Sequence, residues 1–233
     1  MKFFSVDSPF YKFITKLWDI VQLNFLWLLC SIPIVTAGAS TVAACSVALK
    51  MAEDTEGYIG RSFFKAFKEN VKGGIPLGLV ALVAAYAVYL DFQFWNATES
   101  VLFLIMGMVA ALVFTMGLLY AFPLMARYEN TFVKTLKNSY DISTRYFLRT
   151  LLMVFILAVE VVLFLWNITL MLIGVFVGPG ILIYTVCAFA IRIFRQIEKE
   201  PGAVADRAEQ EEDEIPEEDG IPKEDEITNN GRD

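Results

Sequence analysis

From Ile20 to Ile191 the chain alternates long runs without a charge with short clusters of lysine and arginine. The uncharged runs are Ile20–Leu49, Gly73–Leu90, Ser100–Ala126 and Val161–Ile191, and about 18–20 apolar residues suffice to cross a bilayer. At the start, Asp7 or Ser8 is placed to cap a helix with Pro9 at its first position, and Pro33 ends it. The stretch PIVTAGAST that follows reads either as a loop before a short helix or as a tight turn into a second span. Charge decides between them: basic residues gather in Met1–Lys16, Lys50–Lys72, Arg127–Arg149 and Arg192–Lys199, while Asp91–Glu99 and Asn167–Thr169 carry none. The tendency of positive loops to stay inside puts all four clusters in the cytoplasm. An even number of crossings then separates Lys16 from Lys50, so the segment after Val35 returns through the membrane. The expectation is an all-α, polytopic membrane helix bundle of six helices, over 9–32, 36–53, 74–96, 100–127, 146–166 and 169–194, with both ends inside. A five-span alternative would put the N-terminal lysines outside. Gly178, Pro179 and Gly180 together should kink the last helix.

Two polar stretches interrupt this pattern in the same way. SFFKAFKENV (62–71) is echoed 69 residues later by TFVKTLKNSY (131–140); Ser62 aligns with Thr131, Phe63 with Phe132, Lys65 with Lys134, Lys68 with Lys137. Each follows an apolar run with a basic exit and precedes another, so the pair reads as an internal repeat of span, basic elbow, span. At 100° per residue, Phe63, Phe64, Phe67 and Val71 share a face and Lys65, Lys68, Glu69 and Lys72 lie largely opposite. The expectation is two amphipathic elbow helices at the cytoplasmic interface. Their apolar faces would rest at the boundary of headgroups and acyl chains while the lysines meet anionic lipid. A docking ledge that includes Lys134 and Lys137 is the sharper alternative.

Composition adds little to the span assignment, with 57% hydrophobic residues and a mean hydropathy of +0.55, but charge changes the picture at one end. From Glu198 on, 15 of the 26 acids meet only 4 of the 19 bases, so the net charge of −7 hides a basic membrane part. That tail is too poor in large apolar residues to offset its ordering entropy. We divide the chain into a transmembrane helical domain, 1–197, and an acidic disordered cytoplasmic tail, 198–233. Histidine is absent and all three cysteines sit in apolar runs. This removes the histidine-dependent nucleophile and zinc motifs and implies no disulfide framework. No phosphate-binding glycine loop or GxSxG appears, and no cofactor, metal, catalytic residue or nucleic-acid partner is expected.

Among single residues, Glu160 stands out in LAVEVVLFLW, well inside a span, where a carboxylate is expensive and faces the bundle or a water path. It reads as a proton or cation relay, as a hydroxyl acceptor, or as a protonated acid bonded to a neighbouring helix. Gln22 and Asn24 in the first helix are candidates for interhelical hydrogen bonds. Small residues recur every fourth position, at Ser40, Ala44 and Ala48, at Gly74 and Gly78, at Gly107, Ala111 and Thr115, and at Gly174 and Gly178, which permits close helix approach.

DSPFYKF, PIVTAGAST, GYIGRSFFKAFKEN and PLMARYENT resemble the YesL-like family of bacterial integral membrane proteins over about Phe3–Arg195. That family has no assigned activity and no established site residues, so none carry over. The resemblance implies context: such proteins are often encoded beside carbohydrate ABC transporters and sensor kinases. A role accessory to sugar uptake or sensing is the expectation it brings, with an ABC permease or sensor kinase as partner besides the lipid bilayer. A small-solute transporter or channel using Glu160 is the alternative.

Overall fold

A computed structural model describes residues 9–55, 57–128 and 130–199. All the regular structure there is helical: α1 Pro9–Ser31, a 3-10 turn Ile34–Thr36, α2 Ala37–Ala52, α3 Ile59–Thr98, α4 Val101–Leu119, α5 Ala121–Arg127, α6 Phe132–Arg145, α7 Phe147–Leu165 and α8 Ile168–Ile197. Six helical segments among the described residues are long and apolar enough to cross a membrane. Five lie close to helices expected from the sequence, while the third, Ile59–Thr98, begins well before the expected 74–96; this is a multi-pass membrane protein. The chain divides into two units, Met1–Arg192 and Ile193–Asp233. The proposed cap at Asp7 or Ser8 and the tail from residue 200 lie outside the described residues.

The buried centre is α2. Its alanines and small polar residues, from Gly38 to Met51, are almost all buried. They share one core with Ile20 and Leu23 of α1, Ile59, Phe63 and Ala66 of α3, and Cys187 and Ile191 of α8. A second cluster joins Val42, Leu77, Ala121 and Met125, with Phe132 and Leu136 of α6 packed on it. The outward faces of α4 and α7 are the reverse, with Met108, Val109, Phe155 and Leu163 more than half exposed. Faces of that kind would aggregate in water but match hydrocarbon.

The α2–α3 crossing rests on glycine. A Cβ on Gly38 would stand 2.5 Å from the Gly78 Cα, and one on Gly74 would stand 2.6 Å from the Ala39 Cα. Both distances are below any real contact, so the two backbones touch as small-xxx-small spacing allows. This close approach explains a departure from the expected architecture. The first elbow is not a separate interfacial helix: it runs on through Gly73, Gly74 and Pro76 into the span, making α3 a single 40-residue helix. Proline would normally bend such a helix, but here the flanking turns are held against α2. The second elbow does stand apart as α6, because Tyr146 leaves helical geometry (φ −108°, ψ 38°) before α7 begins. The fourth expected helix, 100–127, is likewise broken at Tyr120. Pro123 has no N–H for the Leu119 carbonyl, and the Met116 carbonyl accepts instead from the Ser143 hydroxyl at 2.6 Å.

Candidate functional site

Glu160 lies thirteen residues into the 19-residue α7. The Thr185 hydroxyl of α8 donates to its Oε1 at 2.8 Å. Its Oε2 is buried and has no hydrogen-bond partner. An ionised carboxylate in hydrocarbon is stable only if both oxygens are answered. The Gly174 and Gly178 stripe of α8 meets the Phe164 ring of α7.

A second polar contact holds α8 at Pro179, inside the helix. Pro179 lacks the N–H that Val175 would receive four residues back. The Asn24 amide, wholly buried, answers for this break. Its Nδ2 donates to the carbonyls of Val175 (3.2 Å) and Phe176 (2.7 Å), and its Oδ1 accepts from the Gly180 N–H at 3.0 Å. A Cβ on Gly180 would stand only 3.0 Å from both the Asn24 Cβ and the Ile20 carbonyl, so a larger residue there would push α1 and α8 apart. Gln22 is half-buried and has no such bond.

A cavity of about 660 Å³ is walled by α2, α3, α4, α5, α7 and α8. Thr41, Cys45 and Thr115 are the only lining side chains with a polar atom. Thr41 is already engaged, donating to the Ala37 carbonyl at 2.8 Å and accepting from the Trp27 indole at 3.0 Å. Leu157 and Val161, flanking Glu160, and Leu182, Ile183 and Val186, around Thr185, form part of the wall.

The elbow residues are distributed otherwise than their periodicity suggested. Phe63 is wholly buried and Phe67 half-buried, both in the core with α2, and only Phe64 is substantially exposed. The apolar face therefore meets protein instead of the lipid boundary, because Phe63, Ala66, Asn70, Gly74 and Gly78 make one line along α3 that α2 occupies. Lys65 and Lys68 are exposed, with Lys65 4.0 Å from Glu69. In α6, Lys134 is half-buried and Lys137 exposed, and both take part in interactions. Beside this basic region, Lys16 donates to Asp54 at 2.8 Å and Arg127 lies 3.4 Å from Glu53. The hydrogen bond from Lys16 and then its charge hold the Asp54 carboxyl below the usual carboxylate range, with Lys12 adding a smaller pull.

Sequence reasoning missed Thr185 and the pairing of Asn24 with Pro179. The second had a signal: a proline in one span frees a carbonyl, and a buried amide in another can answer it. The register that sets Thr185 opposite Glu160 had none.

Residues 20–92 match a family described as "Protein of unknown function, DUF624". They cover about half of α1, all of α2 and most of α3, including Asn24, Gly38, Gly74 and Gly78. The chain is also similar to the uncharacterized protein YesL of Bacillus subtilis (strain 168), 25% identical over 199 residues that make up 84% of this chain and 94% of the relative. These matches support the resemblance read from the motifs. No solved structure matches the chain.

Proposed function

We propose that this protein is a small-solute transporter of the bacterial cell membrane, without catalysis of its own, in which Glu160 carries the coupling proton or cation. The observation that carries this reading is the Glu160 carboxyl, one oxygen bonded to Thr185 and the other buried and unanswered. Occupying Oε2 changes the charge between α7 and α8. The same stretch of α8 supplies Thr185 and the cavity wall at Leu182, Ile183 and Val186, and it begins just after Pro179. Ion occupancy and cavity shape are therefore linked through one short helical segment. The test is uptake into proteoliposomes under an inward proton gradient, using a panel of labelled fatty acids, other one-chain amphiphiles and small apolar solutes. One solute should accumulate with the wild type, fail to accumulate with Glu160→Gln and accumulate partly with Glu160→Asp. A folded wild type that concentrates nothing on the panel, or a Glu160→Gln variant that matches it, removes the reading.

A second reading, accessory to a carbohydrate ABC permease or a sensor kinase, draws on the family resemblance and on the exposed Lys65 and Lys68. Co-purification of such a complex from native membranes, lost in Lys65→Glu/Lys68→Glu, is its test. The apolar cavity supplies nothing for a sugar, which needs a partner for each hydroxyl.

A further inference from the structure

We infer that the cavity between α2, α3, α4, α5, α7 and α8 is a binding site for a single hydrocarbon chain, the tail of a fatty acid or a comparable one-chain amphiphile. At about 660 Å³ it lies within the roughly 300–1,000 Å³ of small-molecule sites. Walls without free polar groups stay dry and take an apolar guest. With Thr41 engaged within the protein, the lining offers a guest only the Thr115 hydroxyl and the Cys45 thiol, too few for a polar solute. The cavity is open, not sealed, and α3, α4, α7 and α8, which bring Ala84, Phe114, Val161 and Val186 to its wall, belong to segments long and apolar enough to cross a membrane, so what reaches its mouth on that side is hydrocarbon and not water. Ala81, Ala84, Ala85 and Ala111 keep opposite walls of α3 and α4 short of one another. They leave a smooth slot that suits one flexible chain better than a rigid ring system.

The polar end of such a guest has a defined direction. Phe122 and Pro123 of α5 line one part of the cavity, and Arg127, paired with Glu53 at 3.4 Å, lies one turn beyond Pro123 on the same helical face. Charged surface begins there, so the head of the amphiphile points toward Arg127 and its tail toward Val88 and Val161. Binding of this kind does not depend on Glu160 or on transport.

The experiment is photolabelling of the full-length protein in lipid nanodiscs with palmitic acid carrying a diazirine near its terminal methyl group, read by peptide mass spectrometry. Labelling should saturate, be competed by unlabelled palmitic acid, and fall on the lining parts of α3, α4 and α7. Filling the slot with Ala85→Trp and Ala111→Trp together should reduce labelling about tenfold, the loss expected when an apolar pocket is occupied by protein. Ala158→Trp, on the exposed face of α7, should not change it. Unsaturable labelling spread over the outward faces of α4 and α7 would overturn the inference, as would full labelling of a folded double variant. If the double variant does not fold, saturation, competition and the peptide map of the wild type still decide. Palmitic acid binding with no Glu160-dependent uptake would leave this site standing and remove only the transport reading.

Discussion

Pro179 takes one backbone N–H out of the middle of α8, and in hydrocarbon only protein can answer the carbonyl this leaves open. Asn24 does so with three hydrogen bonds. Replacing it with leucine should destabilise the protein by about 1–2 kcal/mol, since interhelical hydrogen bonds in membranes are individually modest but here backbone groups are left unpaired. Pro179→Ala restores a donor for Val175, so the cost of Asn24→Leu should shrink in that background. Unfolding of the four variants in detergent reads the coupling, and strictly additive costs would show that Asn24 does not act through the proline. Asp54 gives a pH prediction. Its carboxyl is held low by Lys16, so its contribution is fully present above the ordinary aspartate value of 3.8 and is lost as pH falls through the lower folded value. Asp54→Asn should flatten that acid limb of the melting temperature and change little near neutrality, because the side chain is 82% exposed. At this scale the sequence showed which residues were costly, Glu160 and Asn24 among them, because an intramembrane polar group is conspicuous. It could not show their partners, since Thr185 is one of several hydroxyls in apolar helices and only the packing register selects it.

Between elements, the α2–α3 crossing is the contact most sensitive to volume. Gly38→Ala forces a methyl group into the Gly78 backbone and should cost about 1–3 kcal/mol as overpacking does. Gly60→Ala, with nothing within 4 Å of the new carbon, should be neutral or slightly stabilising because alanine favours the helix. Thermal unfolding of both variants tests the contrast, and equal effects would mean that the crossing is not tight in the membrane. The helices themselves were readable from apolar runs and prolines. Their joints were not. Whether an amphipathic stretch faces lipid or another helix depends on the partner, and the small residues Ala66, Gly74 and Gly78 in one copy and Thr135, Ser139 and Ser143 in the other were the available sign. Those three in α6 are buried too, so both copies turn a line of small side chains inward, as the repeat implies.

For the molecule as a whole, the lysines of α3 constrain how deep the first hairpin can go. α2 lies beside the first half of α3, with Gly38 at Gly78 and Met51 in the same core as Phe63. Over that length Arg61, Lys65, Lys68 and Lys72 are exposed. A charge at the bilayer centre costs about 2.5–3.5 kcal/mol even on lenient scales, so this half of α3 stays out of the hydrocarbon and keeps α2 near the surface with it. We therefore predict that α1 and α2 enter and return on one side instead of crossing twice, which preserves the even parity that the positive clusters demand. Val35→Cys at the tip of the hairpin should then resist a membrane-impermeant maleimide added outside intact cells, while Asn167→Cys in the α7–α8 turn reacts. Labelling of Val35→Cys from outside would restore two full crossings.

The central claim is that Glu160 carries an ion between α7 and α8, and the most direct measurement is ion movement itself. Wild-type protein and Glu160→Gln are reconstituted into liposomes enclosing a pH-sensitive dye, and a potassium diffusion potential is imposed, negative inside, in the presence of each solute on the uptake panel. The account predicts acidification faster than in protein-free liposomes with at least one solute for the wild type, background rates for Glu160→Gln, and an intermediate rate for Thr185→Val, which removes the hydrogen bond to Oε1 but leaves the carboxyl. Equal rates for wild type and Glu160→Gln, whether both raised or both at background, would contradict it.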